Sequence, residues 1–258
     1  MTNSAPLIIG AIGGSGTRVV ARLARHAGYD LGAHLNSAED ALEFQSFHDK
    51  WINRFLKAEL RRRPLRQDEV ERMKEDFQQS VSRHLSGSAI EDVSRIRWGW
   101  KAPRSIYLLP FLHQQFPGLR FMHVLRDGRD MALSKNQNQV RKHGAAVLSW
   151  RERIFCSLPE RSLRLWERVN LRAANYGETR LNENYHVVRF EDLCRAPVEA
   201  TAGIMSFLNV GVDAAASVAQ LEIVAPTSIG RWREQPAWLV ARLERSGKIA
   251  LGKFGYLN

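Results

Sequence analysis

The sequence is poor in the residues that staple small folds. It holds two cysteines, Cys156 and Cys194, which form no Cys-x-x-Cys pair and have no histidines near them at ligand spacing. Neither a disulfide framework nor a zinc site therefore organises the chain. No apolar run approaches the roughly 20 residues needed to cross a bilayer. Met1 to Pro6 lack the basic segment and long apolar core of a secretion signal, so a cytoplasmic location is expected. Internal repeats and low-complexity stretches are also missing. Acidic residues are in short supply, 27 against 38 lysines and arginines, for a net charge of +11. A surface of that sign attracts polyanions, whether a nucleotide, an acidic glycan or nucleic acid, and charge alone does not choose among them.

The composition is that of an ordinary globular protein, with 44% hydrophobic and 25% charged residues. A chain of 258 residues can bury an adequate core as one α/β domain. One domain spanning 1–258 is therefore expected. Leu7 to Gly10 is a short apolar run ending in glycines, and Val19, Val20, Leu23, Ala24 and Ala27 recur at helical spacing after Thr17. The pattern predicts a strand, a glycine loop and a helix that stops at Gly28. Trp51 to Leu85 carries two helical stripes, separated at Pro64 and preceded there by the basic run Arg61-Arg62-Arg63, which reads as a solvated turn.

Further strands are predicted at Arg97 to Lys101, Leu119 to Leu125 and Tyr185 to Phe190. Helices are expected over Ser105 to Gln115, from an Asp130 cap through Met131 to Gln139, over Ser162 to Ala174, and along Val198, Ala202, Met205 and Leu208. The tail after Pro226 reads as irregular. Strands alternating with helices predict an α/β fold, a central parallel sheet flanked by helices as in P-loop NTPases, with ligands at the carboxyl ends of the strands.

Two strand–loop–helix units carry residues suited to anions. In the first, Gly13-Gly14-Ser15-Gly16-Thr17-Arg18, backbone N–H groups, two hydroxyls and a helix N-terminus can converge on a phosphate. A tight connection with no ligand explains the same residues. The loop departs from the Walker A pattern, since position 15 counted from Gly10 is serine and no lysine is present. In the second unit, Arg126 ends a strand and Ser134 follows eight residues later, so both could reach one phosphate; an arginine paired with Asp127 or Asp130 is the plainer explanation. Two such units in one chain suit a ligand with phosphates at both ends.

The loop Gly13 to Arg18 resembles the 5′-phosphosulfate loop of sulfotransferases that use 3′-phosphoadenosine 5′-phosphosulfate (PAPS). Arg126-Asp127-Gly128-Arg129-Asp130-Met131-Ala132-Leu133-Ser134 is similar to the family's 3′-phosphate motif. Lys101-Ala102-Pro103-Arg104, Val188-Arg189-Phe190-Glu191-Asp192-Leu193 and Ile229-Gly230-Arg231-Trp232-Arg233 resemble segments of bacterial and Golgi-type members in the same order. The likeness spans nearly the whole chain and is weakest from Asp30 to Ile96.

The resemblance implies a sulfotransferase that moves a sulfuryl group from PAPS to a hydroxyl or amine of an unidentified acceptor (a carbohydrate, a phenol or a lipid headgroup), without a metal. Gly13 to Arg18 would hold the 5′ end, Arg126 and Ser134 the 3′-phosphate, and Arg231 and Trp232 would close over the nucleotide. Many members carry a basic residue where this chain has Gly14; Arg18 or Lys101 substitutes, or backbone amides suffice, or the nucleotide is bound without turnover. Asp40 ranks ahead of Glu43 and His48 as the general base, and the insert at about 51–96 is expected to shape the acceptor site. Two alternatives remain beside this reading: an ATP-dependent P-loop phosphotransferase, and a non-catalytic basic module that binds nucleic acid or another polyanion.

Overall fold

In the computed structural model, residues 5–60, 63–87, 97–212 and 215–257 are described. Arg61 and Arg62 of the basic run, and the 88–96 end of the insert, lie outside them. Four parallel strands form one sheet in the order β2-β1-β3-β4: β1 Leu7–Ala11, β2 Gly99–Lys101, β3 Arg120–Leu125 and β4 Tyr185–Arg189. Ile9 pairs with Lys101 on one side of β1 and with Met122 on the other, so the ends of the three strands lie side by side.

The strands read as continuous apolar runs because both faces are covered, as parallel sheets require. Alternation decides which core each side chain enters. Leu7, Ile9 and Ala11 of β1, with Met122 and Val124 of β3, join Val20, Leu23 and Ile204 on one face. Ile8, Phe121 and Leu125 face the other way, into a larger core with Phe44, Trp51, Phe77, Trp100 and Trp166. The chain is thus a single α/β domain with helices on both sides of the sheet. Its helical insert contains Gln45–Leu60 and Gln67–Ser86, whose buried Trp51, Phe47 and Phe77 fasten it to the second core.

Two expectations about helices need correction. Asp130 does not cap the helix after β3; it lies inside Gly128–Ala132, and Asp127 caps that helix by accepting from the Arg129 N–H at 2.8 Å. Nor does the helix run on to Gln139. The Gln137 side-chain amide donates to the carbonyls of Met131 (3.2 Å), Ala132 (3.2 Å) and Ser134 (2.7 Å), ending the helix from outside. A separate helix, Asn138–Val147, follows. The tail is also not irregular throughout: it forms a 3₁₀ turn at Arg231–Glu234 and helices Ala237–Ser246 and Lys248–Lys253. Leu243, Ala250 and Leu251 are buried, so tertiary packing orders this segment despite its weak pattern.

Candidate active site

The loops leaving the carboxyl ends of all four strands surround a cavity of about 660 Å³. Gly13, Gly14, Gly16, Thr17 and Arg18 line it from β1, Lys101 and Arg104 from β2, Arg126 from β3 and Phe190 from β4. Asp40 joins them from the loop after the first helix.

The first loop is shaped by its glycines. Gly14 has φ +92° and Gly16 φ +84°, a region that costs a side chain roughly 1–2 kcal/mol. A Cβ on Gly16 would lie 2.2 Å from the Phe190 ring. A basic side chain at position 14 would therefore have to adopt strained backbone here. Ser15 is buried, and its Oγ donates to the Ile12 carbonyl at 2.6 Å. That hydroxyl holds the turn together and leaves the amides to face a ligand. The following helix, Thr17–His26, has no side-chain cap and no acidic residue in its first turn, so its amino end presents uncompensated N–H groups to the cavity.

Lys101 is buried at the end of β2, and its Nζ donates to the Ala38 carbonyl and to Asp40 Oδ1, the latter at 2.5 Å. Burial pulls its pKa below the ordinary lysine range, while Asp40 works against that shift. Asp40 is set by its own loop: Asn36 Oδ1 accepts from the N–H groups of Ala38 and Asp40, and Asn36 Nδ2 donates to Asp40 Oδ2 at 3.3 Å. Arg18 is half exposed, 3.9 Å from Glu39. His48 also lines the cavity; burial holds it neutral, with a pKa of about 3.

Arg126 is buried, with its guanidinium over the Phe190 ring. One Nη donates to the Gly14 carbonyl at 3.4 Å and the other to the carbonyl and hydroxyl of Ser228 at 2.8 and 2.9 Å. Its Nε is buried without a partner, a group left to be satisfied by something in the cavity. The rest of the Arg-Asp-Gly-Arg-Asp run holds the protein together. Arg129 is buried between Asp127, Glu244 and the Tyr256 carbonyl. Asp130 accepts from the N–H groups of Gly230 (2.7 Å) and Trp232 (3.2 Å), fastening the C-terminal loop beside Arg126. Burial raises the Asp130 pKa above the usual carboxylate range.

Four expected binding residues lie outside the cavity wall: Ser15, turned back onto Ile12, and Ser134, Arg231 and Trp232. Ser134 is part-exposed, its Oγ accepting from the Asn136 N–H at 3.2 Å. Arg231 donates to the Ser228 carbonyl, and the Trp232 ring is stacked on the guanidinium of Arg129, 3.5 Å away, with Arg233 also near it. Conversely, the wall includes Phe190, Arg104, Lys142 and Gln139, which sequence reading had not assigned to the site. Tyr107 donates to Gln139 Oε1 at 2.8 Å, which turns the amide NH₂ toward Gly13.

The Sulfotransferase family model matches residues 6–214. The chain belongs to the sulfotransferase family. Solved structures agree on the fold. Sulfotransferase STF1 from Mycobacterium tuberculosis H37Rv superposes with a TM-score of 0.59 at 14% identity, over 95% of this chain and 76% of that one. The sulfotransferase domain of the Synechococcus PCC 7002 olefin synthase gives 0.52 at 16% identity, covering 96% and 94%. Mouse sulfotransferase SULT7A1, a structure complexed with PAP, gives 0.53 at 13%, covering 93% and 82%. No curated protein matches the chain.

Proposed function

We propose that this sulfotransferase takes the sulfuryl group from PAPS and delivers it to a hydroxyl or amine of an acceptor. The observation that carries the reading is the convergence of two separate anion cradles on one cavity, the β1 glycine loop and the β3 arginine, 3.4 Å apart at Gly14 and Arg126. One nucleotide with phosphates at both ends suits that pair. The mouse relative complexed with PAP gives the same direction.

The donor set fits such a group. The amides of Gly14 to Thr17 and the helix amino end suit the 5′ end, and Arg126, with its unpartnered Nε, suits the 3′-phosphate. The Ser134 hydroxyl accepts from Asn136 and keeps its proton to donate. Ser228, Gly230 and Trp232 form a latch through Arg126 and Asp130, so Arg231 and Trp232 act by closing the loop rather than by lining the wall. When bound, PAPS supplies an activated sulfuryl group.

The chain's own residues then position charge and move one proton, as in-line transfer requires. Asp40 accepts the acceptor's proton at Oδ2, while Lys101 holds Oδ1 and fixes the carboxylate's orientation. Lys101 and Arg18 supply the positive charge that Gly14 does not, and Lys101 is the better placed because it is buried at the end of β2 beside β1. The acceptor then approaches from the β2 end, a reading supported by His48, Arg104 and Lys142 in the wall.

Calorimetric titration with 3′-phosphoadenosine 5′-phosphate, beside ATP and an adenosine nucleotide lacking the 3′-phosphate, tests the reading without added magnesium. Binding should depend on the 3′-phosphate and weaken about 10- to 100-fold in Arg126→Ala, the range for losing a charge-assisted hydrogen bond. Equal affinity for ATP would overturn it and favour a phosphotransferase.

A further inference from the structure

The short helix Trp150–Phe155 buries none of its side chains. Trp150 is 57% exposed, Ile154 66% and Phe155 73%, and the two rings lie 6.5 Å apart. The three apolar groups therefore form one projecting patch. Arg151 and Arg153 stand exposed beside it and form no ion pair among the described residues. The single acid of the helix, Glu152, is drawn inward: it caps Ser149 and is bound by Arg164 and Arg168. The outward face is thus aromatic, aliphatic and cationic, with no carboxylate to offset it.

We infer that this patch docks the protein peripherally on an anionic membrane surface, with Trp150, Ile154 and Phe155 entering the headgroup boundary and Arg151 and Arg153 meeting lipid phosphates. That pairing of residue types is what an interfacial segment uses. No helix among the described residues is long and apolar enough to span a bilayer, so the contact is peripheral. A second copy of the chain fits less well, because a two-fold contact through this patch would bring Arg151 and Arg153 toward their own equivalents.

The patch is also placed to matter for the cavity. It connects Asn138–Val147 to Leu158–Tyr176, the two helices that contribute Val140, Lys142, Ser162 and Leu165 to the cavity wall. Arg168 links both neighbours of the patch, donating to the Val147 carbonyl and pairing with Glu152. Exposed Trp238 sits on Ala237–Ser246, which Arg242 joins to Glu160 of the same region. Docking would therefore bear on two helices that wall the cavity. The inference stands apart from the choice of donor nucleotide.

Co-sedimentation of the full chain with phosphatidylcholine vesicles, and with vesicles of phosphatidylcholine mixed with phosphatidylglycerol, decides the matter. The wild type should partition at least about tenfold more strongly onto the mixed vesicles, with a blue-shifted tryptophan emission. Trp150→Ser with Phe155→Ser, and separately Arg151→Gln with Arg153→Gln, should each remove most of that binding and leave melting temperature and nucleotide affinity unchanged. Failure of the wild type to bind mixed vesicles, or full binding by either double variant, overturns the proposal. So does a wild-type dimer that the Trp150/Phe155 variant converts to monomer, which would assign the patch to self-association.

Discussion

Lys101 Nζ lies 2.5 Å from Asp40 Oδ1, joining the end of β2 to the loop that follows the first helix. The lysine is buried and the carboxylate about a third exposed, so of the two members that line the cavity the acidic one is the more open. Removing either partner leaves the other without its compensating charge.

Asp40→Asn keeps the shape and most hydrogen bonding but cannot take up a proton. Sulfuryl transfer to a hydroxyl acceptor should fall by about 10²- to 10⁴-fold, the usual worth of a general base. Affinity for 3′-phosphoadenosine 5′-phosphate should change little. A variant with wild-type turnover would remove Asp40 from the chemistry.

Gly16→Ala meets two obstacles at once, a φ of +84° and a Phe190 ring atom 2.2 Å from the new methyl. Together they should cost about 2–4 kcal/mol and lower the melting temperature by roughly 5–15 °C. Phe190→Ala should cost less in the Gly16→Ala background than alone, because it relieves the overlap. Additive losses in that double-mutant cycle would show that the ring is not the obstacle.

Asp130→Ala should release the C-terminal loop, since Gly230 and Trp232 lose their acceptor. Faster amide exchange is expected over 228–232, with several-fold weaker nucleotide binding following from the loosened Ser228 contact to Arg126. Unchanged protection at Gly230 would refute the latch.

Three histidines should set the acid limit of stability. Burial lowers His48 to a pKa of about 3, and His123 and His143 to about 4. His123 is locked as a neutral ring: Asn170 Oδ1 receives its Nε2–H at 2.8 Å, and Tyr185 donates to Nδ1. These folded values are depressed below the unfolded value near 6.5, so the unfolded chain binds more protons between about pH 4 and 6.5. Stability is then fully present above pH 6.5 and declines as pH falls, by up to about 1.4 kcal/mol per unit for each histidine. Urea unfolding at pH 7.5, 6 and 5 measures this; a flat profile would contradict it.

Much of the fold was legible because the strands are short apolar runs with helical spacing between them. That the loops after β1 and β3 line one cavity was legible because glycines and a strand-end arginine fall at strand–helix junctions. The break after Ala132 was not, since it depends on a side chain, Gln137, folding back onto carbonyls up to six residues earlier, and no proline or glycine announces it. Asp130 was misread as a cap because its partners, Gly230 and Trp232, lie some hundred residues away. Phe190 and Gln139 were not assigned to the site for a related reason: an apolar ring at a strand end and an amide on a helix acquire meaning only when the loops meet. The tail looked irregular because what orders it is burial against other helices, which a local pattern does not record.

The Arg-Asp-Gly-Arg-Asp run gives one side chain to the cavity and ties itself to distant parts of the chain through the Arg129 and Asp130 side chains and the Asp127 N–H, which reach Glu244 and Tyr256, Gly230 and Trp232, and Glu191. All of these partners are made after the run itself. A ribosome therefore releases β1, β3 and the loops that follow them well before the residues that lock them, and a partly synthesised chain holds Arg129 and Asp130 without these partners. Nucleotide binding should appear late in synthesis and all at once, when the last third of the chain arrives.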